Sequence, residues 1–253
     1  MTTLISSEWY KLIHNKLLAL ILAGVALQTM LQVQGEYAME KAVLGQYGVA
    51  MVADSSWFLV IWIVAFVGFF VASDFQNYTV RNVLALGKNR TQIFLSKLLA
   101  ACIAVTAIFA TASIVNTVGY TLAFGFGDMS FGEFLRFSSW NFLMQLLFHL
   151  TFASVFCLFA FLSRNPGGTI LLGIGYMVGE MLAMGFMANY PGNVLAFAVD
   201  YFPSYYIGRF FHPVKHILNL DPAFIRQGII VSLAYIVVPC IIGCAVFKRS
   251  DVK

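Results

Sequence analysis

The chain has 253 residues, 60% hydrophobic and only 10% charged, with a mean hydropathy of +0.85. An average soluble domain is roughly 25% charged, so water is not the main solvent of this chain. A net charge of +4, dispersed over short polar segments, gives no nucleic-acid footprint. Cys102, Cys157, Cys240 and Cys244 all fall in apolar runs, where they act as small hydrophobes and outline no disulfide framework.

Residues 1–16 form an amphipathic stretch. Ile5, Trp9, Leu12 and Ile13 recur at helical spacing, with Glu8, Lys11 and Asn15 on the other side. It is expected to lie in the membrane interface, its apolar face in the acyl boundary and Lys11 and Lys16 on anionic headgroups. Runs long enough to cross about 30 Å of hydrocarbon follow near 17–34, 55–73, 97–124, 140–162, 167–188 and 226–247. The expected fold is therefore an all-α integral membrane protein with six spans. The first run is read as a retained helix, because its polar lead-in is long and five more spans follow.

The connection 73–97 is more structured than a link needs to be. Asp74 is placed to cap a short helix with Val80, Val83 and Leu84 on one face, and Gly87 to end it in a left-handed turn. Asn89, with Gln92 three residues on, reads as the start of the next helix. Flanked by Arg81, Lys88 and Arg90, this short helix is by physics alone equally a basic stitch to lipid headgroups.

Polar residues inside the spans need partners away from lipid. Gln145 and His149 lie one turn apart on the fourth span, and Asn116 lies in the third. They are interhelical glue, or His149 takes a ligand or proton role. Glu180 has two readings: a paired structural residue at a helix contact, or part of a translocation route or proton relay. Gly175 and Gly179 beside it form a small-xxx-small step that lets another helix come close.

The segment 189–225 is too apolar and aromatic for an ordinary solvated loop. It re-enters the membrane or lies along its outer interface, where Tyr201, Tyr205, Tyr206, Phe210 and Phe211 suit the headgroup region. His212 and His216 have helical metal spacing, but Pro213 and the missing third ligand argue against zinc, and no metal site is assigned. If both termini are cytoplasmic, the inner segments hold ten of the fifteen Lys and Arg, the bias of a membrane protein with both ends inside.

No catalytic residue is assigned. Gly87-Lys88 lacks the rest of a G-x-x-x-x-G-K-[ST] phosphate loop, and there is neither a His-Glu-x-x-His helix nor a Gly-x-Ser-x-Gly elbow.

The order of interfacial helix with Glu8-x-x-Lys11, first span, outer loop and second span is followed by Asp74-Phe75-x-Asn77-x-Thr79-Val80-Arg81-Asn82-Val83-Leu84 and Gly87-x-x-Arg90-Thr91 up to Lys97. This pattern resembles an ABC-2-type permease, most closely the short permeases linked to bacitracin resistance and lantibiotic immunity. The resemblance is concentrated in residues 4–16, 73–97 and the Phe247 to Asp251 tail. Members often carry Gly-Thr where this chain has Tyr78-Thr79, so the turn before the short helix is expected to differ in detail.

The resemblance implies one transmembrane domain over 1–253, the permease of an exporter in the bacterial cytoplasmic membrane. Its cytoplasmic ATPase partner would hold the ATP and Mg, and no cofactor belongs to this chain. A second copy or a related permease, and membrane lipid, are the other implied partners. Residues 73–97 would be a coupling helix, with Arg81, Asn82, Gly87 and Arg90 as contacts to the ATPase. Residues 1–16 would be an elbow helix, with Glu8 pairing a loop arginine. The substrate class implied is an amphipathic antimicrobial peptide, an antibiotic or another hydrophobic compound. A secondary transporter or channel using Glu180 and His149 without an ATPase is the alternative, and a membrane scaffold the third reading. No repeat between the two halves favours the transporter alternative.

Overall fold

The computed structural model describes residues 2–39, 43–189, 196–211 and 222–249. The described residues form a helical bundle in which six helices are long and apolar enough to cross a membrane. In chain order the elements are α1 (Thr2–Ile13), α2 (Lys16–Ala38), α3 (Ser56–Val67), α4 (Ser73–Gln76), α5 (Thr79–Ala85), α6 (Arg90–Phe124), α7 (Phe131–Ser163), α8 (Pro166–Asn189), α9 (Pro203–Phe211) and α10 (Pro222–Arg249). A 3-10 stretch, Ala50–Ser55, leads into α3, and a π stretch, Gly68–Ala72, joins it to α4. Together these make the second span, Ala50–Gln76. His212, His216 and the end of the C-terminal tail lie outside the described residues.

The spans outrun the apolar runs in the sequence because polar caps extend them. Asn15 accepts from the amides of Leu17 and Leu18, and Asn89 accepts from Thr91 N at 2.9 Å. Ser130 and Glu133 close a reciprocal capping box that starts α7 nine residues before its apolar run begins near 140. α6 has 35 residues, about 50 Å at 1.5 Å per residue, so its ends stand clear of the hydrocarbon.

α6 and α7 form the centre. Lipid is as apolar as a leucine core, so helices associate in it by close packing, which small residues favour. α6 supplies that surface with Ala101, Ala104 and Ala112, all fully buried. Its Phe94 and Phe109 meet Phe161 and Phe142 of α7, while Phe148 and Phe152 of α7 face Tyr206 of α9 and Tyr176 of α8. α2 packs on α6, α3 and α8 on α7, and α10 on both central helices. α1, the α4–α5 turn and the C-terminal turn of α10 gather at one end, called here the proximal end, through the contacts described below.

The distal end is closed by a tucked-in segment. Gly45 and Gln46 donate their amides to the carbonyls of Gly125 and Phe126 at 2.9 and 2.8 Å. A Cβ on Gly45 would collide with Thr121, and one on Gly48 with Thr117, so the backbone lies directly on α6. α9 is also tucked in. Tyr206 is 1% exposed, stacks on Phe148 at the middle of α7, and donates its hydroxyl to the Asp200 carbonyl at 2.7 Å.

Candidate functional site

A buried ion cluster holds the proximal end together. Lys97 sits on the inward stripe of α6 with Ile93, Phe94, Ala101 and Ala104 and is 2% exposed. Its Nζ lies 3.1 Å from Glu8 Oε1 of α1 and pairs with Asp74 Oδ2 of α4. Lys11 reaches that same Asp74 oxygen at 3.1 Å and Glu8 at 3.7 Å. The Phe70 ring, on the π stretch, is 6.0 Å from the Lys97 amine. A lysine out of water costs several kcal/mol unless its charge is matched. Here two carboxylates from two different elements match it, so α1 and α4 are held to α6 by the need to neutralise Lys97.

This arrangement corrects two sequence expectations. Glu8 pairs with Lys97 and Lys11 rather than with a loop arginine. Asp74 does not cap the short helix. Residue Tyr78 occupies that position, in a left-handed conformation with φ +56°, and makes no side-chain cap bond. α1 turns Leu4, Glu8 and Leu12 onto the bundle and leaves Trp9, Tyr10 and Ile13 exposed. The Leu4-Glu8-Leu12 stripe faces the bundle because it carries the carboxylate that Lys97 demands.

An aromatic cluster backs the ion cluster. Phe75 meets Phe161 edge-on at 5.0 Å and Phe247 at 6.1 Å, and Phe94 meets Phe161 at 4.7 Å. These rings come from α4, α6, α7 and α10. Arg90 Nη1 donates to the Phe247 carbonyl at 2.9 Å, and its guanidinium stands 5.7 Å from the Phe247 ring. Arg90 thus satisfies a carbonyl in the last turn of α10, a group that a helix end leaves without an intrahelical donor.

Beyond this base the turn projects. Val80 points inward at 1% exposure, while Arg81, Asn82 and Gly87 are exposed. Gly87 has φ +74°, and a Cβ there would meet nothing within 4 Å. Leu86 is 78% exposed and Tyr78 59%, which puts two large apolar side chains at the tip among polar ones. The tip thus presents apolar and polar side chains together, on a base tied to α1, α6 and α10. Of the residues expected to make that contact, the structure gathers Arg81, Asn82 and Gly87 at the tip and turns the Arg90 guanidinium back onto α10.

Comparison with known families bears on this geometry. A family model described as ABC-2 family transporter protein matches residues 4–180. The chain belongs to the ABC-2 transporter family. That match takes in α1, the α4–α5 turn, α6 and every member of the ion cluster. No curated protein matches the chain. ABC-2 membrane proteins are the permease components of transporters rather than enzymes, and the family implies a partnership with an ATP-binding subunit.

The polar residues within this ABC-2 bundle go to separate places. Gln145 Nε2 donates to the carbonyls of Val49 and Ala50 at 3.2 and 3.4 Å, pinning the distal segment to α7. His149 sets its Nδ1 2.7 Å from the Gln145 carbonyl; a carbonyl only accepts, so Nδ1 carries the proton. Its ring lies 5.0 Å from Phe109. Glu180 is 3% exposed, and its Oε1 accepts from Ser204 N at 3.2 Å, at the start of α9. Gln145 therefore ties the distal segment to α7, His149 bonds within its own helix and lies on Phe109 of α6, and Glu180 meets the start of α9. Among the described residues no group of three or more His, Cys, Asp or Glu could hold a metal, and the four cysteines are unpaired.

Sequence reasoning missed Lys97 and Asp74 as a pair, and Leu86 as a tip residue. The signal for Lys97 was present: it falls three and four residues from Phe94, Ile93, Ala100 and Ala101, in register with the inward stripe.

Proposed function

We propose that this permease serves an ATP-driven exporter of a hydrophobic or amphipathic compound, with the proximal end cytoplasmic in a bacterial cell membrane. The α4–α5 turn acts as the coupling helix that docks on a separate ATPase subunit, which binds ATP and Mg. Two permease subunits, identical or related, frame the path, as in the bacitracin-resistance and lantibiotic-immunity group that the sequence resembles. An antimicrobial peptide or antibiotic is the substrate class proposed on that resemblance. ATP-driven closure of the ATPases would tilt the permease halves between states that expose the path differently.

The observation that carries this reading is the construction of the turn, an exposed tip of Tyr78, Arg81, Asn82 and Leu86 on a base welded by Lys97, Glu8 and Asp74. A lipid stitch needs no such base. The test is purification in mild detergent with its ATPase, comparing the parent with Arg81→Glu and Leu86→Asp. A charged or apolar anchor lost at an interface costs about 2–5 kcal/mol, so both variants should stay folded and release the ATPase or uncouple its hydrolysis. Undiminished coupling in both would assign the turn to the lipid surface instead.

A further inference from the structure

On the distal half of the bundle a slot runs between α6 and α7, about 570 Å³ in volume. Its walls are Ala110, Ser113 and Thr117 of α6 and Phe134, Ser138 and Phe142 of α7. Ser113 and Thr117 spend their hydroxyls on carbonyls of their own helix at 2.9 and 2.8 Å, so the α6 wall presents carbon. The rim is apolar and open to the side: Ile114 is 62% exposed, Val118 51% and Leu143 58%. A slot of this size lies within the roughly 300–1,000 Å³ of small-molecule pockets.

A second, larger cavity of about 1090 Å³ lies beside the slot and shares Ser139 and Leu143 with it. That cavity is lined by Asp128, Glu133, Arg136 and Trp140. Two carboxylates and one guanidinium leave that cavity with one net negative charge. From Glu133 to Leu143 the two cavities run side by side along ten residues of α7, about 15 Å, with the carboxylates of Asp128 and Glu133 at the distal end. An apolar slot open to the side, with a net-negative group of side chains beside its distal end, complements one chemistry: an alkyl tail in the slot and a cationic head at the carboxylates.

We propose that the α6–α7 slot, with the Asp128 and Glu133 carboxylates beside its distal end, is a lateral binding site for a lipophilic cation, which reaches it from the membrane. The proposal deepens the exporter reading by naming a substrate class and its point of contact, and it rests on that reading for its role in transport.

The test uses a chain-brominated dodecyltrimethylammonium and the matching brominated dodecyl sulfonate, with the protein in nanodiscs of phosphatidylcholine. Bromine quenches tryptophan at short range, and the quenching that disappears in Trp140→Phe reports the cavity beside the slot. The ammonium is expected to quench Trp140 saturably, and the sulfonate less. Val118→Phe, which fills the slot from its exposed rim, should abolish saturation. Asp128→Asn with Glu133→Gln should weaken the ammonium by roughly 2- to 30-fold and leave the helix cap intact, because Gln still accepts from Ser130. Equal, unsaturable quenching by both probes, or saturation that survives Val118→Phe, would overturn the site. The assay needs no ATPase. Saturable ammonium binding without any ATPase coupling would remove the exporter reading and keep the site, and the reverse result would remove the site alone.

Discussion

Lys97 Nζ and Glu8 Oε1 stand 3.1 Å apart although they are 89 positions apart in the chain. Glu8 Oε2, buried, has no hydrogen-bond partner among the described residues. Removing the lysine would leave two carboxylates, Glu8 and Asp74, facing each other with only the part-exposed Lys11 beside them. Breaking a buried pair from one side costs about 3–5 kcal/mol. Lys97→Met is expected to lower the unfolding temperature sharply in detergent and to free α1, read as faster labelling of a cysteine at Leu12. The triple change Glu8→Gln, Asp74→Asn, Lys97→Met removes the buried charges together, leaves only the part-exposed Lys11 to turn to water, and should recover much of the loss. No recovery would mean that the cluster is held by packing rather than by charge.

Arg90 separates an internal role from an interfacial one. Its hydrogen bond to the Phe247 carbonyl involves a charged donor, and such bonds are worth about 1.5–3 kcal/mol. Arg90→Gln should destabilise the last turn of α10, seen as faster amide exchange from Cys244 to Arg249, without releasing an ATPase. Loss of the ATPase with α10 unchanged would place the Arg90 side chain at the contact after all.

Tyr78 has φ +56°, a conformation that costs a residue with a Cβ about 1–2 kcal/mol. The turn keeps the left-handed shape without glycine, the residue that adopts it freely. Tyr78→Gly and Tyr78→Ala remove the same ring and differ in this strain. The glycine variant should be the more stable of the two by about 1 kcal/mol in thermal unfolding, after its own greater unfolded-state entropy is counted. Equal stability would mean that the turn relaxes to another shape.

The six spans were legible because a membrane leaves a one-dimensional signal, a run of apolar residues of fixed length, and the cap at Asn89 could be read beside it; the caps at Asn15 and Ser130 came from the structure. What stayed hidden depends on rotation about a helix axis. Spacing groups Leu12 with Trp9 and Ile13 on the lipid face of α1, and only the position of Lys97 on another helix decides that Glu8 and Leu12 turn inward. The π stretch before Asp74 is equally silent in the sequence. Its wider turn re-aims the residues that follow, so Asp74, which local chemistry presents as a cap, reaches Lys97 and Lys11 instead. Family resemblance pointed to Arg81, Asn82, Gly87 and Arg90 as a group, but it could not divide them into tip and base.

Orientation rests on the excess of basic residues at the proximal end. Single cysteines at Ser7 and Lys88 in a cysteine-free background should resist an impermeant thiol reagent in intact cells, and one at Gly132, exposed at the distal start of α7, should react. The opposite pattern would invert the molecule and place the α4–α5 turn out of reach of a cytoplasmic ATPase.

Glu180 tests whether an acidic residue inside a span serves transport or structure. Its Oε1 accepts from the amide of Ser204, the second residue of α9, where the first amides of a helix have no intrahelical acceptor. A carboxylate at that point is worth about 0.3–1 kcal/mol, and up to about 2 in a partly buried site. Glu180→Gln keeps an oxygen for Ser204 N and loses the charge. It should cost no more than about 1–2 kcal/mol and leave substrate-stimulated ATP hydrolysis near the parent level. Glu180→Leu removes the acceptor, and an orphaned buried amide costs about 1–3 kcal/mol, so α9 should loosen and Tyr206 should lose its seat on Phe148. Amide exchange across Pro203–Phe211 reads that loosening directly. If Glu180→Gln unfolds like the parent, keeps α9 protected and still abolishes stimulated hydrolysis, the charge itself is needed, and Glu180 belongs to the translocation route rather than to the cap of α9.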